Sequence, residues 1–152
     1  SAEQRNRVAG FVDAGRKEGA EVVCGGNAPT RPGYFFEPTV LARTRNDMTP
    51  VKSEIFGPVL CVQTFGDDDL DSVARAANST IYGLSGSVWT RDLGTAMKMV
   101  RKIDSGQVSV NMHAAIDPAM PFGGNKQSGW GREFGKEGLE PYLKTKGISM
   151  TW

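Results

Sequence analysis

The chain has few cysteines, a single histidine and no surplus of either charge, and each shortage closes off a class of function. Two cysteines, Cys24 and Cys61, without a Cys-x-x-Cys pair argue against a disulfide framework and against a zinc ribbon. A reducing compartment is then the default. His113 is the only histidine, so neither a metal cluster nor a histidine-based dyad can be built within the chain. Eighteen Lys and Arg against seventeen Asp and Glu leave a formal charge of +1, which is no electrostatic footprint for nucleic acid or an anionic membrane. No apolar run approaches the roughly 18 residues of a membrane span, and residues 1–7 lead into no apolar signal segment. The expectation is a cytoplasmic protein with no nucleic-acid, membrane or metal partner.

What is present is a chain of 152 residues, 39% hydrophobic and 23% charged, enough for one globular core and too short for two full domains. Val8, Phe11 and Val12 recur at helical spacing and mark a first helix that Gly19 weakens near its end. This helix opens at the N-terminus without a clear cap or polar leader, so the chain is expected to continue a longer polypeptide. Residues 21–24 read as a short strand ended by Gly25-Gly26, and 34–41 as an extended segment whose Pro38 favours an edge. A stronger strand spans 59–65, and Asp67-Asp68-Asp69 can cap and charge a helix through Ala77. A strand at 84–90 precedes a helix at 93–103, and a strand at 107–111 precedes a glycine-rich loop and a helix at 132–143. Strands separated by helices of this length imply parallel crossover units, hence an α/β fold with a parallel sheet.

Two glycine-anchored aromatic segments stand out: Glu54-Ile55-Phe56-Gly57-Pro58-Val59, and the run from Pro121-Phe122-Gly123-Gly124 to Gly131-Arg132-Glu133. Each holds a ring and a carboxylate in fixed relation, which suits gripping a flat ligand. Together with Tyr82-Gly83-Leu84, Val88-Trp89-Thr90-Arg91-Asp92 and Gly106-Gln107-Val108-Ser109-Val110-Asn111, they occur in the order and spacing of the NAD(P)-dependent aldehyde dehydrogenases. The chain resembles the C-terminal portion of that family. The resemblance implies a partial catalytic domain over 1–143 and an oligomerisation strand over 144–152.

Family chemistry, as the resemblance implies it, begins with a cysteine thiolate attacking the aldehyde. Hydride then passes to NAD or NADP, and water hydrolyses the thioester. Cys24 and Cys61 do not match the nucleophile position, which should lie upstream of Ser1 together with the general base and the oxyanion-hole asparagine. Cys24 closes a strand, and burial of Cys61 among apolar residues would raise its thiol pKa. Both read as inert, so no catalytic residue is assigned and the chain alone is expected to be inactive.

From residue types alone, Glu54 reads as a solvated loop carboxylate and Phe56 as a core ring. The resemblance implies instead that Glu54 accepts hydrogen bonds from the nicotinamide ribose and that Phe56 packs near the nicotinamide. The glycine-rich run is not a phosphate loop: Lys126 is followed by Gln127, not Ser or Thr. There is no Gly-x-Gly-x-x-Gly fingerprint either, which agrees with a main nucleotide-binding fold elsewhere in a longer protein. By the same resemblance, residues 112–120 help form the aldehyde tunnel, with Met112, Ile116, Met120 and Phe122 as an adaptable apolar wall for an aromatic or aliphatic aldehyde. This loop is most similar to that of phenylacetaldehyde-type members, while Met112 and Met120 read equally well as packing residues. The segment 144–152 alternates Ile148, Met150 and Trp152 with no evident partner strand, and the resemblance places it in the subunit-bridging sheet of a homo-oligomer. The competing reading is a non-catalytic binding or structural protein that retains the fold.

Overall fold

The computed structural model describes residues 1–66, 69–113 and 116–152. They form two compact units, Ser1–Thr80 and Ile81–Trp152.

The first unit opens with helix α1 (Ala2–Lys17). Its cap, unanticipated from the sequence, is the first residue: the Ser1 hydroxyl accepts a hydrogen bond from the Gln4 amide at 3.2 Å, satisfying one of the amides that a helix start leaves open. One face, Val8, Val12 and Gly15, is buried. The helix stops at Lys17, and Gly19 supplies the left-handed conformation (φ 97°) just beyond it. Strands β1 (Glu21–Cys24), β2 (Thr39–Ala42) and β3 (Val59–Cys61) form a sheet in that order. The β2–β3 pair is parallel and β1–β2 antiparallel. Pro38 does not mark an edge, as the sequence suggested. It immediately precedes β2, the central strand, and lies outside the ladder. Thr39 and Leu41, alternate residues of β2, are buried, as are Val12, Met48 and Ile55.

The crossover from β2 to β3 contains the short helix α2 (Thr49–Lys52), with Pro50 in its first turn and no side-chain cap of its own. The end of α1 supplies the missing group. The Glu18 carboxylate accepts from the Thr49 amide at 2.6 Å and also from the Thr49 hydroxyl. These bonds, the hydroxyl one first, hold the Glu18 carboxyl below the usual value. Helix α3 (Leu70–Ala77) is capped as expected by Asp69, which accepts from the Ser72 amide at 2.8 Å. Asp67 and Asp68 lie outside the described residues.

In the second unit, β4 (Tyr82–Gly83) pairs antiparallel with β7 (Asn125–Lys126), and β5 (Ser85–Val88) pairs parallel with β6 (Gln107–Val110). Helix α4 (Leu93–Lys102) makes the β5–β6 crossover, capped by Asp92 and burying Ala96 and Met99. The expected α/β architecture with parallel strand pairs is therefore observed. The helix expected over 132–143 is not. That stretch forms turns and one 3-10 turn, Glu140–Tyr142. Phe122 and Glu133 pair as an antiparallel bridge, and Phe134 and Gly135 adopt φ of 59° and 57°, which no helix contains. Residues 143–152 carry no regular structure and are exposed. No described helix is long and apolar enough to cross a membrane.

Candidate functional site

Glu54 and Phe56 leave α2 on a segment whose backbone is fastened to the first turns of α1. The Arg7 guanidinium donates to the Glu54 carbonyl at 3.0 Å, and the Gln4 amide donates to the Phe56 carbonyl at 2.6 Å and the Ile55 carbonyl at 3.3 Å. Ile55 is the buried anchor between them. Gly57 has to be glycine, because a Cβ there would lie 2.4 Å from a Val8 methyl carbon. With carbonyls and Ile55 tied inward, both neighbouring side chains turn to solvent. The Glu54 carboxylate is exposed, and no other described residue pairs with it. Phe56 is no core ring: it is 72% exposed and sits at φ 53°. A bulky residue in the left-handed region costs about 1–2 kcal/mol, so the fold retains a strained, solvated ring that does nothing for its core.

The four apolar candidates belong to the second unit. Met112, Ile116 and Met120 are each about half exposed, and none is in the core, while Phe122 is half-buried. Ala114 and Ala115, within the same loop, lie outside the described residues. Asp117 turns the loop back: its carboxylate accepts from the Ala119 amide and its carbonyl from the Met120 amide, both at 2.9 Å. Phe122 then enters the bridge with Glu133, exchanging two backbone hydrogen bonds of 2.7 Å.

The glycine-rich run is a closed loop. Arg132, which sequence reasoning gave no role, locks it by donating to the Gly124 carbonyl at 2.7 Å and the Asn125 side-chain oxygen at 2.8 Å. Lys126 lies on a strand and pairs with Asp104 at 3.7 Å, not at the start of a helix, so this loop lacks the strand-to-helix geometry of a phosphate loop. Beside the loop, Leu84, Phe122, Ser128, Arg132 and Glu133 line a shallow hollow of about 320 Å³. Gln4 and Arg7 were also missed, and polar residues on a helix face give no signal of partners fifty positions away.

Neither cysteine is placed for chemistry. Cys24 is exposed at the end of β1, and Cys61 is half-buried on β3, where burial pushes its thiol up from the ordinary value.

By class this is an α/β protein with parallel strand pairs and an exposed carboxylate-and-ring ledge. The chain belongs to the aldehyde dehydrogenase family, whose model matches residues 1–148. It is 46% identical over 142 residues to human cytosolic 10-formyltetrahydrofolate dehydrogenase, covering 93% of this chain and 16% of that protein. To the mitochondrial aldehyde dehydrogenase of Leishmania tarentolae it is 44% identical over 148 residues, 97% of this chain and 29% of the relative. Betaine aldehyde dehydrogenase of Staphylococcus aureus, solved with NAD+, superposes with a TM-score of 0.90 at 41% identity, over 96% of this chain and 29% of that one. An aldehyde dehydrogenase of Bacillus cereus, also an NAD+ complex, gives 0.88 at 42% identity, over 95% and 29%. The chain thus spans less than a third of the length of these relatives.

Proposed function

We propose that the chain is the C-terminal part of an NAD(P)-dependent aldehyde dehydrogenase that oxidises an apolar aldehyde to its carboxylic acid, and that it supplies the nicotinamide-ribose contacts and part of the aldehyde tunnel. The observation that carries this reading is the ledge: an exposed carboxylate with no partner among the described residues and a strained, exposed ring, two residues apart on a backbone tied down at both carbonyls. These residues fit the group. The Glu54 carboxylate can accept from two ribose hydroxyls, and the Phe56 ring offers a flat apolar face to a flat heterocycle. When bound, the nicotinamide takes up the hydride by which the aldehyde is oxidised. The chain's own contribution is orientation, which sets the distance and face of that transfer. The half-exposed Met112, Ile116 and Met120, with Phe122, supply an apolar wall suited to an aldehyde of the phenylacetaldehyde kind. The competing reading, a non-catalytic protein retaining the fold, has no observation in its favour.

The nucleophile is expected from residues outside this chain. A homogeneous sample of the 152 residues should therefore give no turnover of NAD or NADP with a panel of aldehydes, whereas the complete enzyme oxidises phenylacetaldehyde. Alanine at Cys24 and Cys61 should leave the complete enzyme's turnover unchanged. Steady formation of reduced cofactor by the isolated chain would overturn this division of labour.

The same reading makes 144–152 a subunit-bridging strand in a homo-oligomer. Ile148, Met150 and Trp152 are all largely exposed, a sticky row with no ladder to join among the described residues. Light scattering should show an oligomer that falls apart when residues 148–152 are deleted. A monomer at micromolar concentration, or an oligomer indifferent to the deletion, would count against it.

A further inference from the structure

We propose that Asn111 and His113 are positioning residues which, from either side, hold Met112 as the specificity-determining point of the aldehyde passage; this rests on the tunnel reading above. Strand β6 ends at Val110, and the Asn111 amide adds one more rung by donating to the Val88 carbonyl at 2.8 Å. There the chain turns away at φ 53°, a conformation asparagine tolerates better than most residues. The Asn111 side chain then satisfies both backbone groups of a single residue across the loop. Its oxygen accepts from the Thr90 amide and its nitrogen donates to the Thr90 carbonyl, both at 2.9 Å. Reversing the amide would break both bonds, so the clasp has one orientation. Thr90 is itself pinned, its hydroxyl accepting at 3.1 Å from the amide of Asp92, the cap of α4.

Two residues on, the His113 ring shares a 2.8 Å hydrogen bond through Nδ1 with the Ser87 hydroxyl on β5. Either neutral tautomer keeps it, because a serine hydroxyl both donates and accepts. Met112 lies between these two tethers and is 49% exposed. Both of its neighbours are fastened to the β5 side, so its Cα has little freedom, while the thioether beyond retains three rotatable bonds. A fixed base with an adaptable tip discriminates apolar groups by size, because the base does not retreat when a bulky group presses on it.

In the complete enzyme, the readout is the ratio of kcat/KM for phenylacetaldehyde to that for propanal. Asn111→Gly keeps the left-handed backbone and removes both clasp bonds, and His113→Ala removes the second tether. Each should lower the ratio by about three- to tenfold, chiefly through KM for the larger aldehyde. In a Met112→Ala background, either change should add less than about twofold, since all three act through one side chain. His113→Asn, whose amide reaches near the place of Nδ1, should recover most of the loss. If Met112→Ala lowers the ratio while Asn111→Gly and His113→Ala keep the wild-type value, the positioning role is overturned and the tunnel reading stands. If Met112→Ala itself keeps the wild-type ratio, the tunnel reading falls and takes this inference with it. Should Asn111→Gly fail to fold, His113→Ala, which removes one exposed hydrogen bond, decides the matter alone.

Discussion

Gly106→Ala is expected to be among the most destabilising single substitutions in this chain. A Cβ at Gly106 would lie 1.7 Å from the Gly123 carbonyl oxygen and 2.7 Å from its carbon. The obstruction is backbone on a loop already closed by the Phe122–Glu133 bridge and the Arg132 bonds, so no side chain can rotate aside. The Gly106 amide is also committed, donating to the Gly83 carbonyl at 2.9 Å. Relief therefore requires separating the start of β6 from the glycine-rich loop, which places the cost at about 3–5 kcal/mol, from the top of the usual overpacking range into the exceptional tail of single substitutions. At roughly 2–4 °C per kcal/mol for a chain of this size, the melting temperature should fall by about 6–20 °C. Gly10→Ala is the matched control. That glycine sits mid-helix in α1 with nothing within 4 Å of its missing Cβ, and alanine should stabilise by about 0.5–1 kcal/mol. Thermal unfolding followed by circular dichroism reads both signs. Two melting curves indistinguishable from wild type would refute the packing argument.

Which features were legible in the sequence follows from how far apart the deciding residues lie. Helices α3 and α4 and strand β6 could be placed to within a residue or two because cap and periodicity are adjacent, as with Asp69 ahead of Leu70 and Asp92 ahead of Leu93. The stretch 132–143 deceived because its mix of charged and apolar residues looks helical. Its two glycines, Gly135 and Gly138, and Pro141 decide otherwise, and the bridge to Phe122 fixes Glu133 in an extended conformation. Ser1 gives no clear cap signal in the sequence although serine is a preferred cap, because a helix beginning at the first residue looks like one already under way. Glu54 and Phe56 could be singled out from their motif. A solvated carboxylate at Glu54 could also be read from its residue type, but the outward turn of Phe56 could not, since it depends on Gln4 and Arg7, some fifty residues earlier, gripping the carbonyls.

That orientation makes a sharp expectation for the ledge. In the complete enzyme, Glu54→Gln keeps the size of the side chain and removes the charge from hydrogen bonds worth about 1.5–3 kcal/mol. Cofactor positioning and hydride transfer should weaken together, by roughly ten- to a hundredfold. Because the carboxylate is exposed and unpaired by other described residues, the same change should leave the melting temperature where it was. Phe56→Gly separates function from fold still further. Glycine relieves the left-handed strain of about 1–2 kcal/mol, and the 72% exposed ring contributes little to the core, so the variant should be as stable as wild type or more so. Hydride transfer, measured in single turnovers, should nevertheless fall, because the apolar face that orients the heterocycle is gone. Higher stability with lower activity at one residue is the mark of strain kept for function, not for folding. If Glu54→Gln and Phe56→Gly both left cofactor affinity and the hydride-transfer rate unchanged, the ledge would be an exposed loop and nothing more.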